Sequence, residues 1–356
     1  MKNSSINKLK RILTTIVTVV GGFFYKTRFL WKRIGFALVT LFLATVFGFF
    51  LIKLMPGDPI TMFAKRLSDQ RRIPLDDAYR LATLLLNYDP NISVWQQFVN
   101  YTAGLLKGDF GTSMFRDDVT VSLIVKDFLP WTLFVSSLAL FVSFIVGIFM
   151  GGRMAYKRHG VGNLLSNSYI VTSGAVPDYL WGMILIFIFG VTLRWFPIQG
   201  NYDILLEFKG WPFILNVLYH AFLPIVAFSI VQIGGWALAM RGSAIGVLGE
   251  DYIYAAKARG LSERKIISRY LRRNSLLPLI TSLAMSFAVL FGGSPLMEAI
   301  FNYPGFGSEF SKAIGTRDYF LIQGLMVFMS FVMIIANLIA DSLYSLIDPR
   351  VRRNNS

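Results

Sequence analysis

The sequence predicts an all-α, polytopic membrane protein with about six transmembrane helices. Of its 356 residues, 54% are apolar, 15% are charged and none is cysteine, a balance typical of membrane proteins rather than soluble domains. A helix of roughly 20 apolar residues crosses about 30 Å of hydrocarbon. Stretches of this kind predict spans at residues 34–55, 130–152, 176–195, 214–240, 276–297 and 321–347.

Basic residues predict the orientation, because positive side chains near span ends stay on the cytoplasmic side. With the N-terminus inside, most of the 35 lysine and arginine residues are cytoplasmic and most of the 20 acidic residues are outside. Both termini are therefore predicted to be cytoplasmic. The net charge of +15 lies on loops beside membrane lipid headgroups, so lipid is the expected anionic partner and nucleic acid is not.

The chain divides into four parts along its length. Residues 1–33 are a basic N-terminal segment, in which the short apolar run 12–24 favours an interfacial helix, with a seventh span as the alternative. The first transmembrane helix, 34–55, is followed by an extracytoplasmic loop region, 56–129, which is either a solvated connector or a docking surface or lid. The core, 130–350, carries the other five spans.

The cytoplasmic loop of residues 241–275 is too long for a simple turn. Tyr252, Ala255, Ala256 and Arg259 recur at spacings of three and four, which predicts a short helix with a flat face of small residues, ended by Gly260. Such a face suits insertion into a groove on another protein. An ordinary amphipathic surface helix is the alternative.

A second helix is predicted in the same loop, capped by Ser262. Its apolar stripe consists of Ile266, Ile267, Tyr270 and Leu271, which favours a helix along the membrane surface. The next span is then expected to begin at Pro278.

The sequence contains no Gly-x-x-x-x-Gly-Lys-Ser/Thr loop to hold nucleotide phosphates, and its two histidines lack neighbouring metal ligands. No metal or catalytic site is predicted. Polar groups within spans are costly and so mark a candidate pathway. These groups are Gln232, Ser286, Asn337 and Asp341, although for Asp341 a structural pair with a cytoplasmic arginine or lysine is favoured over a role in the pathway.

Five motifs carry a resemblance to a known family. The strongest is EDYIYAAKARGLSER, residues 250–264, which leads through LRRNSLLP at residues 271–278. The others are LMPGDP, KGDFGTS, FNYPGFG and the segment that ends in DPR, at residues 54–59, 107–113, 301–307 and 341–350. Over residues 30–353 the chain resembles the B-type membrane subunit of the oligopeptide and dipeptide ATP-binding cassette importers. The gap from Gly260 to Pro278 exceeds that of sugar importers, and the first 30 residues have no family counterpart.

The resemblance implies a type I importer transmembrane domain in the bacterial plasma membrane. It implies three kinds of protein partner: a related C-type permease subunit, two ATPase subunits and an external substrate-binding protein. ATP and Mg would be bound by the ATPases, and this chain would bind no cofactor. The implied coupling helix to the ATPase comprises Glu250, Asp251, Tyr252, Ala255, Ala256, Arg259, Gly260 and Leu261. Phe301, Tyr303 and Pro304 would lie at the outer mouth as part of the pathway or gate.

Several functions remain open at this level. Oligopeptides are the favoured substrates, with dipeptides second and nickel or metal chelates third. A secondary transporter that works without ATPases is the alternative from another class, and an intramembrane enzyme lacks a paired catalytic signature.

Overall fold

The structure is a computed structural model that describes residues 33–54, 59–85, 92–116, 119–157, 159–205 and 209–347. The predicted interfacial helix of residues 12–24 lies outside the described residues. The helices are α1 (Arg33–Leu54), α2 (Pro59–Arg71), α3 (Leu75–Leu85), α4 (Val94–Leu106), α5 (Val121–Tyr156), α6 (Val161–Ala175), α7 (Asp178–Leu185, continued by the π-helical segment Ile186–Thr192), α8 (Gly210–Leu248), α9 (Asp251–Ala258), α10 (Glu263–Lys265, continued by the π-helical segment Ile266–Leu271), α11 (Arg272–Leu290), α12 (Pro295–Ile300), α13 (Phe306–Thr316) and α14 (Tyr319–Ile347).

Long apolar helices dominate this architecture. Within the described ranges, α1, α5, α8 and the part of α14 up to Ile339 are each long and apolar enough to cross a membrane, and α6 with α7 qualifies as a pair bent by 102°. The 19 residues of α11 give a length of about 28 Å, close to the hydrocarbon thickness. With the bent pair counted as one span, five of the six predicted spans correspond to a helix that is long and apolar enough to cross a membrane. The predicted fifth span falls on α11, which is long enough but begins with two arginines and an asparagine. The chain is an all-α, polytopic membrane protein.

The helix that contains the second span begins earlier than the predicted span. The span was expected to begin at residue 130, but α5 begins at Val121, where the Thr120 hydroxyl caps the helix by accepting a hydrogen bond from the Leu123 amide at 3.2 Å. Pro130 lies inside the helix. The helix survives the proline because Val121 and Ile124 are anchored in a buried cluster with α13 and α14.

Two further boundaries differ from the prediction. The third span was expected at 176–195, but a separate helix, α6, precedes it, and the chain bends where Pro177 interrupts the helical hydrogen bonds. The fifth span was expected to reach residue 297, yet α11 ends at Leu290. Gly293 then adopts a φ of +61°, which a glycine tolerates and which turns the chain into α12.

The segment predicted to lie outside the membrane is largely helical in its described residues, and its helices α2, α3 and α4 form a cap on the membrane helices. On one face of α2 and α3, Phe63, Ala64 and Ala78 are buried in a cluster with Tyr319, the first residue of α14. On α4, Phe98 is buried and packs edge-on against Phe49 of α1, with ring centroids 5.3 Å apart. The cap is therefore fixed to the first and last membrane helices.

The centre of the fold is the crossing of α5 and α8. A Cβ atom added at Gly147 would lie 2.5 Å from the Trp236 Cβ, and one at Gly151 would overlap the Ala237 carbonyl oxygen. Only glycine permits this backbone approach, which is the way small residues bring membrane helices together. The edge of the Phe144 ring meets the Trp236 ring at a centroid distance of 4.9 Å.

Polar contacts reinforce this crossing within the apolar layer. The Ser229 hydroxyl lies 3.2 Å from the Ala139 carbonyl oxygen and also donates to the carbonyl of Ile225, one turn earlier in α8. The buried Ser143 hydroxyl lies 3.3 Å from the Gln232 Oε1 atom. Because water is absent at this depth, such contacts satisfy groups that would otherwise be costly to bury.

Gly151→Ala tests the crossing. The added methyl group forces α5 and α8 apart, so we expect the free energy of unfolding to fall by about 1–3 kcal/mol. Thermal unfolding of the purified chain in mild detergent, followed by tryptophan fluorescence, measures the loss. Gly235→Ala is the matched control, because open space surrounds that position of α8. Equal midpoints for the two variants would contradict the close approach.

Candidate coupling helix and outer mouth

The predicted short helix of the cytoplasmic loop is α9, and it follows α8 after a two-residue turn. Glu250 occupies its N-cap position with an extended backbone, and Asp251 is the acidic residue of its first turn, where a negative charge is favourable. The helix ends in a Schellman motif: the Gly260 amide donates to the Lys257 carbonyl at 2.9 Å, and the Leu261 amide donates to the Ala256 carbonyl at 3.3 Å.

The φ of Gly260 is +70°, the left-handed conformation that the motif requires and that glycine adopts without strain. The prediction that Gly260 ends this helix is confirmed.

The predicted docking face of α9 is wrong for Ala256. Ile253 and Ala256 are buried against Ile266 of the following helix and the end of α8. A helix turns 100° per residue, which places residues 253 and 256 on one side. Ala256 therefore attaches α9 to the rest of the chain.

Other residues of α9 remain available to a partner. Ala255 and Arg259 are exposed, as predicted, and Tyr252 is 39% exposed. Asp251, Tyr254 and Ala258 extend this surface. We call Asp251, Tyr252, Tyr254, Ala255, Ala258 and Arg259 the exposed face of α9.

The second predicted helix of the loop is present, and its apolar stripe points inward. Ile266 and Leu271 are buried, while Ser262 occupies the N-cap position of α10 without a side-chain capping bond. Pro278, the predicted start of the next span, does not interrupt the helix, because helical structure is continuous from Glu263 to Leu290. The π-helical turns of this stretch join the surface helix directly to α11.

The segment predicted to form the outer mouth, residues 301–307, is built around the buried carboxylate of Glu298. This carboxylate accepts hydrogen bonds from the Thr132 hydroxyl at 2.7 Å and from the Ser308 amide at 2.8 Å. The Thr132 hydroxyl in turn accepts a bond from the Phe306 amide at 2.8 Å. A side chain at Gly305 would overlap the carboxyl group of Glu298. The glycines of this segment thus make room for a carboxylate that ties α12 and α13 to α5.

The predicted mouth residues Phe301 and Tyr303 are buried, each 2% exposed. They pack against α7 and α8, and the Phe301 carbonyl accepts a hydrogen bond from the Gly200 amide at 3.1 Å. Pro304 is half-buried beside them. In this conformation the side chains of Phe301 and Tyr303 fill the space between the helices that surround them.

A second buried carboxylate, Asp318, fixes the segment between α4 and α5. It accepts hydrogen bonds from the Ser113 hydroxyl and from the Met114 amide at 3.0 Å, and it caps α14 through the Leu321 amide at 3.3 Å. The buried Glu309, nine residues earlier, forms ion pairs with Arg116 and Lys312, and its two carboxylate oxygens lie 2.7 Å from the Arg116 Nη1 and Lys312 Nζ atoms. Both clusters link the outer loops to the helices below them.

Comparison with known proteins shows the family to which the chain belongs. Residues 143–353 match the sequence family of the binding-protein-dependent transport system inner membrane component, a stretch that runs from the α5–α8 crossing through α9 and the outer mouth. The chain belongs to this family. It is therefore a multi-pass protein of the bacterial plasma membrane.

Individual members of the family match along nearly their whole length. The chain is 31% identical to the oligopeptide transport system permease protein OppB of Haemophilus influenzae, covering 91% of this chain and 99% of that protein. It is 32% identical to the oligopeptide permease AppB of Bacillus subtilis, covering 86% and 93%. It is 30% identical to the di/tripeptide permease DppB of Pseudomonas aeruginosa, covering 91% and 98%.

Among the polar residues predicted to line a pathway, no hydrogen bond joins Gln232, Ser286 and Asn337 in the part of this permease chain that the structure describes. Gln232 is half-buried in α8 and faces α5. Ser286 donates a local hydrogen bond to the Ser282 carbonyl of α11, and Asn337 is exposed on α14. The backbone of Asp341 lies in α14, but its side chain falls outside the described residues.

Sequence reasoning missed the Glu298 and Asp318 clusters and the glycine pair of α5. The glycines had a readable signal, since Gly147 and Gly151 are spaced four apart inside an apolar span. The carboxylates had none, because their partners Thr132 and Ser113 are 166 and 205 positions away in the chain.

Glu298→Ala tests the outer cluster. The change leaves the buried Ser308 amide and the Thr132 hydroxyl without their acceptor, which costs about 1–3 kcal/mol for each orphaned group. We expect a clearly lower unfolding temperature in detergent, whereas Asp69→Ala, at an exposed position of α2, should change little. If both variants unfold alike, Glu298 does not hold the mouth together.

Proposed function

We propose that the chain is the pore-forming transmembrane subunit of an ATP-driven peptide importer, with oligopeptides as the favoured substrates. The observation that carries the proposal is the near-complete match to permeases named for peptide transport. An exposed α9 at the cytoplasmic end of α8 supports the same function, because it gives a partner a short rigid element to move.

ATP is handled by partner subunits in this proposal. The chain has no phosphate-binding loop of its own, so two cytoplasmic ATPase subunits bind ATP and Mg. A related C-type permease subunit completes the pore, and an external substrate-binding protein delivers the peptide. The ordered cap of α2, α3 and α4 is a suitable surface for that delivery.

The coupling step acts through α9. Closure of the ATPases on ATP presses on the exposed face of α9, and the contacts of Ile253 and Ala256 with the end of α8 pass this displacement to the membrane helices. The pore then changes from inward-open to outward-open. Small side chains at Ala255 and Ala258 let a partner groove approach the helix backbone closely.

The substrate class is open to direct measurement. Relatives include permeases named for oligopeptides and for di/tripeptides, so dipeptides are the second candidate. A nickel or metal-chelate importer of the same family is the third, and a stand-alone secondary transporter is the candidate outside the family's usual assembly. Each candidate function predicts that transport depends on a different substrate or energy source.

Peptide-stimulated ATP hydrolysis distinguishes these candidates. The chain is purified with its neighbours from native membranes, reconstituted in liposomes, and assayed with the binding protein and peptides of two to eight or so residues. Stimulation by longer peptides supports the oligopeptide importer, and stimulation by dipeptides or a nickel chelate alone replaces that substrate. Transport by the chain alone, driven by an ion gradient, would refute the ATP-driven mechanism.

Ala255→Trp tests the coupling surface in the same assay. We expect the bulky indole to prevent seating of α9 and to abolish peptide stimulation of ATP hydrolysis, while thermal stability is unchanged because residue 255 is exposed. Ala255→Ser is the matched control and should retain full stimulation. Normal stimulation in Ala255→Trp would show that the ATPase docks elsewhere.

A further inference from the structure

A cavity of about 190 Å³ lies where the cytoplasmic end of α5 meets the start of α6. It is separate from the outer mouth and from α9. Its lining residues are Arg153, Met154, Lys157, His159, Gly160, Gly162, Asn163 and Ser166. Since a water molecule occupies about 30 Å³ in the liquid, the cavity has room for a phosphate-sized group with some of its hydration shell.

The lining of this cavity is strongly biased toward binding an anion. Arg153, Lys157 and His159 contribute three basic side chains, and the lining includes no acidic residue. Within the described part of the chain, no carboxylate forms an ion pair with Arg153 or Lys157. The positive charge of the site is therefore not neutralised by the chain's own acids.

Backbone amides reinforce the basic side chains. The cavity includes the N-terminus of α6, a 15-residue helix whose N-cap, Gly160, supplies no side-chain capping bond. The Asn163 and Leu164 amides already donate to the Gly160 carbonyl, so the amide of Gly162, which lines the cavity, is the first-turn donor for a ligand. A Cβ atom added at Gly162 would lie 3.8 Å from the Arg153 Nη2 atom, which places the guanidinium beside this amide.

The surroundings of the cavity indicate where the anion comes from. Arg153 and Lys157 end a membrane span on its cytoplasmic side, at the level of lipid headgroups. Val161, Leu164 and Leu165 of α6 are 72%, 66% and 64% exposed, and these apolar side chains beside a basic cavity offer a surface to acyl chains. Basic pockets between membrane helices on this side bind anionic headgroups in other proteins.

We propose that this cavity binds the phosphate group of an anionic phospholipid from the cytoplasmic leaflet. The Arg153 guanidinium and the Lys157 ammonium group pair with the phosphate oxygens, and the Gly162 amide donates a hydrogen bond to them. Inorganic phosphate from the cytoplasm shares this chemistry and is the other source that the site accepts. Occupation fixes the end of α5 against α6 beside the coupling loop.

Native mass spectrometry of the purified importer complex tests the proposal. The double variant Arg153→Gln with Lys157→Gln is compared with Arg269→Gln with Arg273→Gln, a control that removes two exposed cytoplasmic charges outside the cavity. Each complex is titrated with phosphatidylglycerol, with phosphatidylethanolamine and with inorganic phosphate. Thermal unfolding of each variant confirms that it is folded.

We expect wild type and the control to retain phosphatidylglycerol in preference to phosphatidylethanolamine, and the cavity variant to lose about tenfold or more in apparent affinity. A different outcome is that wild type binds inorganic phosphate saturably but retains no lipid, and that the cavity variant loses the phosphate binding. That result would show that the site binds phosphate but that its ligand is the soluble ion. Equal phosphatidylglycerol and phosphate binding in both double variants would overturn the proposal.

Discussion

The close approach of α5 and α8 is the constraint on which the rest of this structure depends. A single methyl group at Gly147 or Gly151 would meet the opposite helix, so the two backbones are in direct contact over one turn. Lipid offers no hydrophobic driving force between helices, and contact area with a few polar bonds must hold them. The helices α5 and α8 are also the longest described, with 36 and 39 residues. The pair therefore extends from the α9 region to the Glu298 cluster.

The two ends of this helix pair carry the two candidate functional regions. On the cytoplasmic side, Ile253 and Ala256 pack α9 onto the last turn of α8. On the outer side, Glu298 joins α12 and α13 to Thr132 of α5. We infer that one rigid unit, which we call the lever, is formed by α5, α8, α9 and the outer mouth. A displacement of α9 by the ATPases then moves the mouth as well, because no hinge lies between them. Rigid-body motion of packed elements is an established way to transmit such a change.

How much could be read from the sequence depended on whether the deciding contacts were local. Span positions and the glycine stop at Gly260 were predictable, because hydrophobic length and a left-handed turn are local properties. The inward orientation of Ala256 was not, since it depends on contact with Ile266 after the turn. The start of α5 was placed too late because the prediction followed the apolar stretch, whereas the helix begins at Val121, where distant packing anchors it. The mouth residues were located by their resemblance to a family, but Glu298, which holds them, had no local signal.

The most direct test of the lever is the distance between its two ends during the ATP cycle. The chain has no cysteine, so spin labels can be placed at cysteines introduced at Lys257 of α9, outside the exposed face defined above, and at Leu296, both of which are exposed. Pulsed electron paramagnetic resonance on the reconstituted complex then compares the nucleotide-free state with the state trapped after ATP hydrolysis. The account predicts the same distance distribution in both states while each label moves relative to the partner subunit. A shift of several ångströms within the chain would contradict it and place a hinge between α9 and the outer mouth.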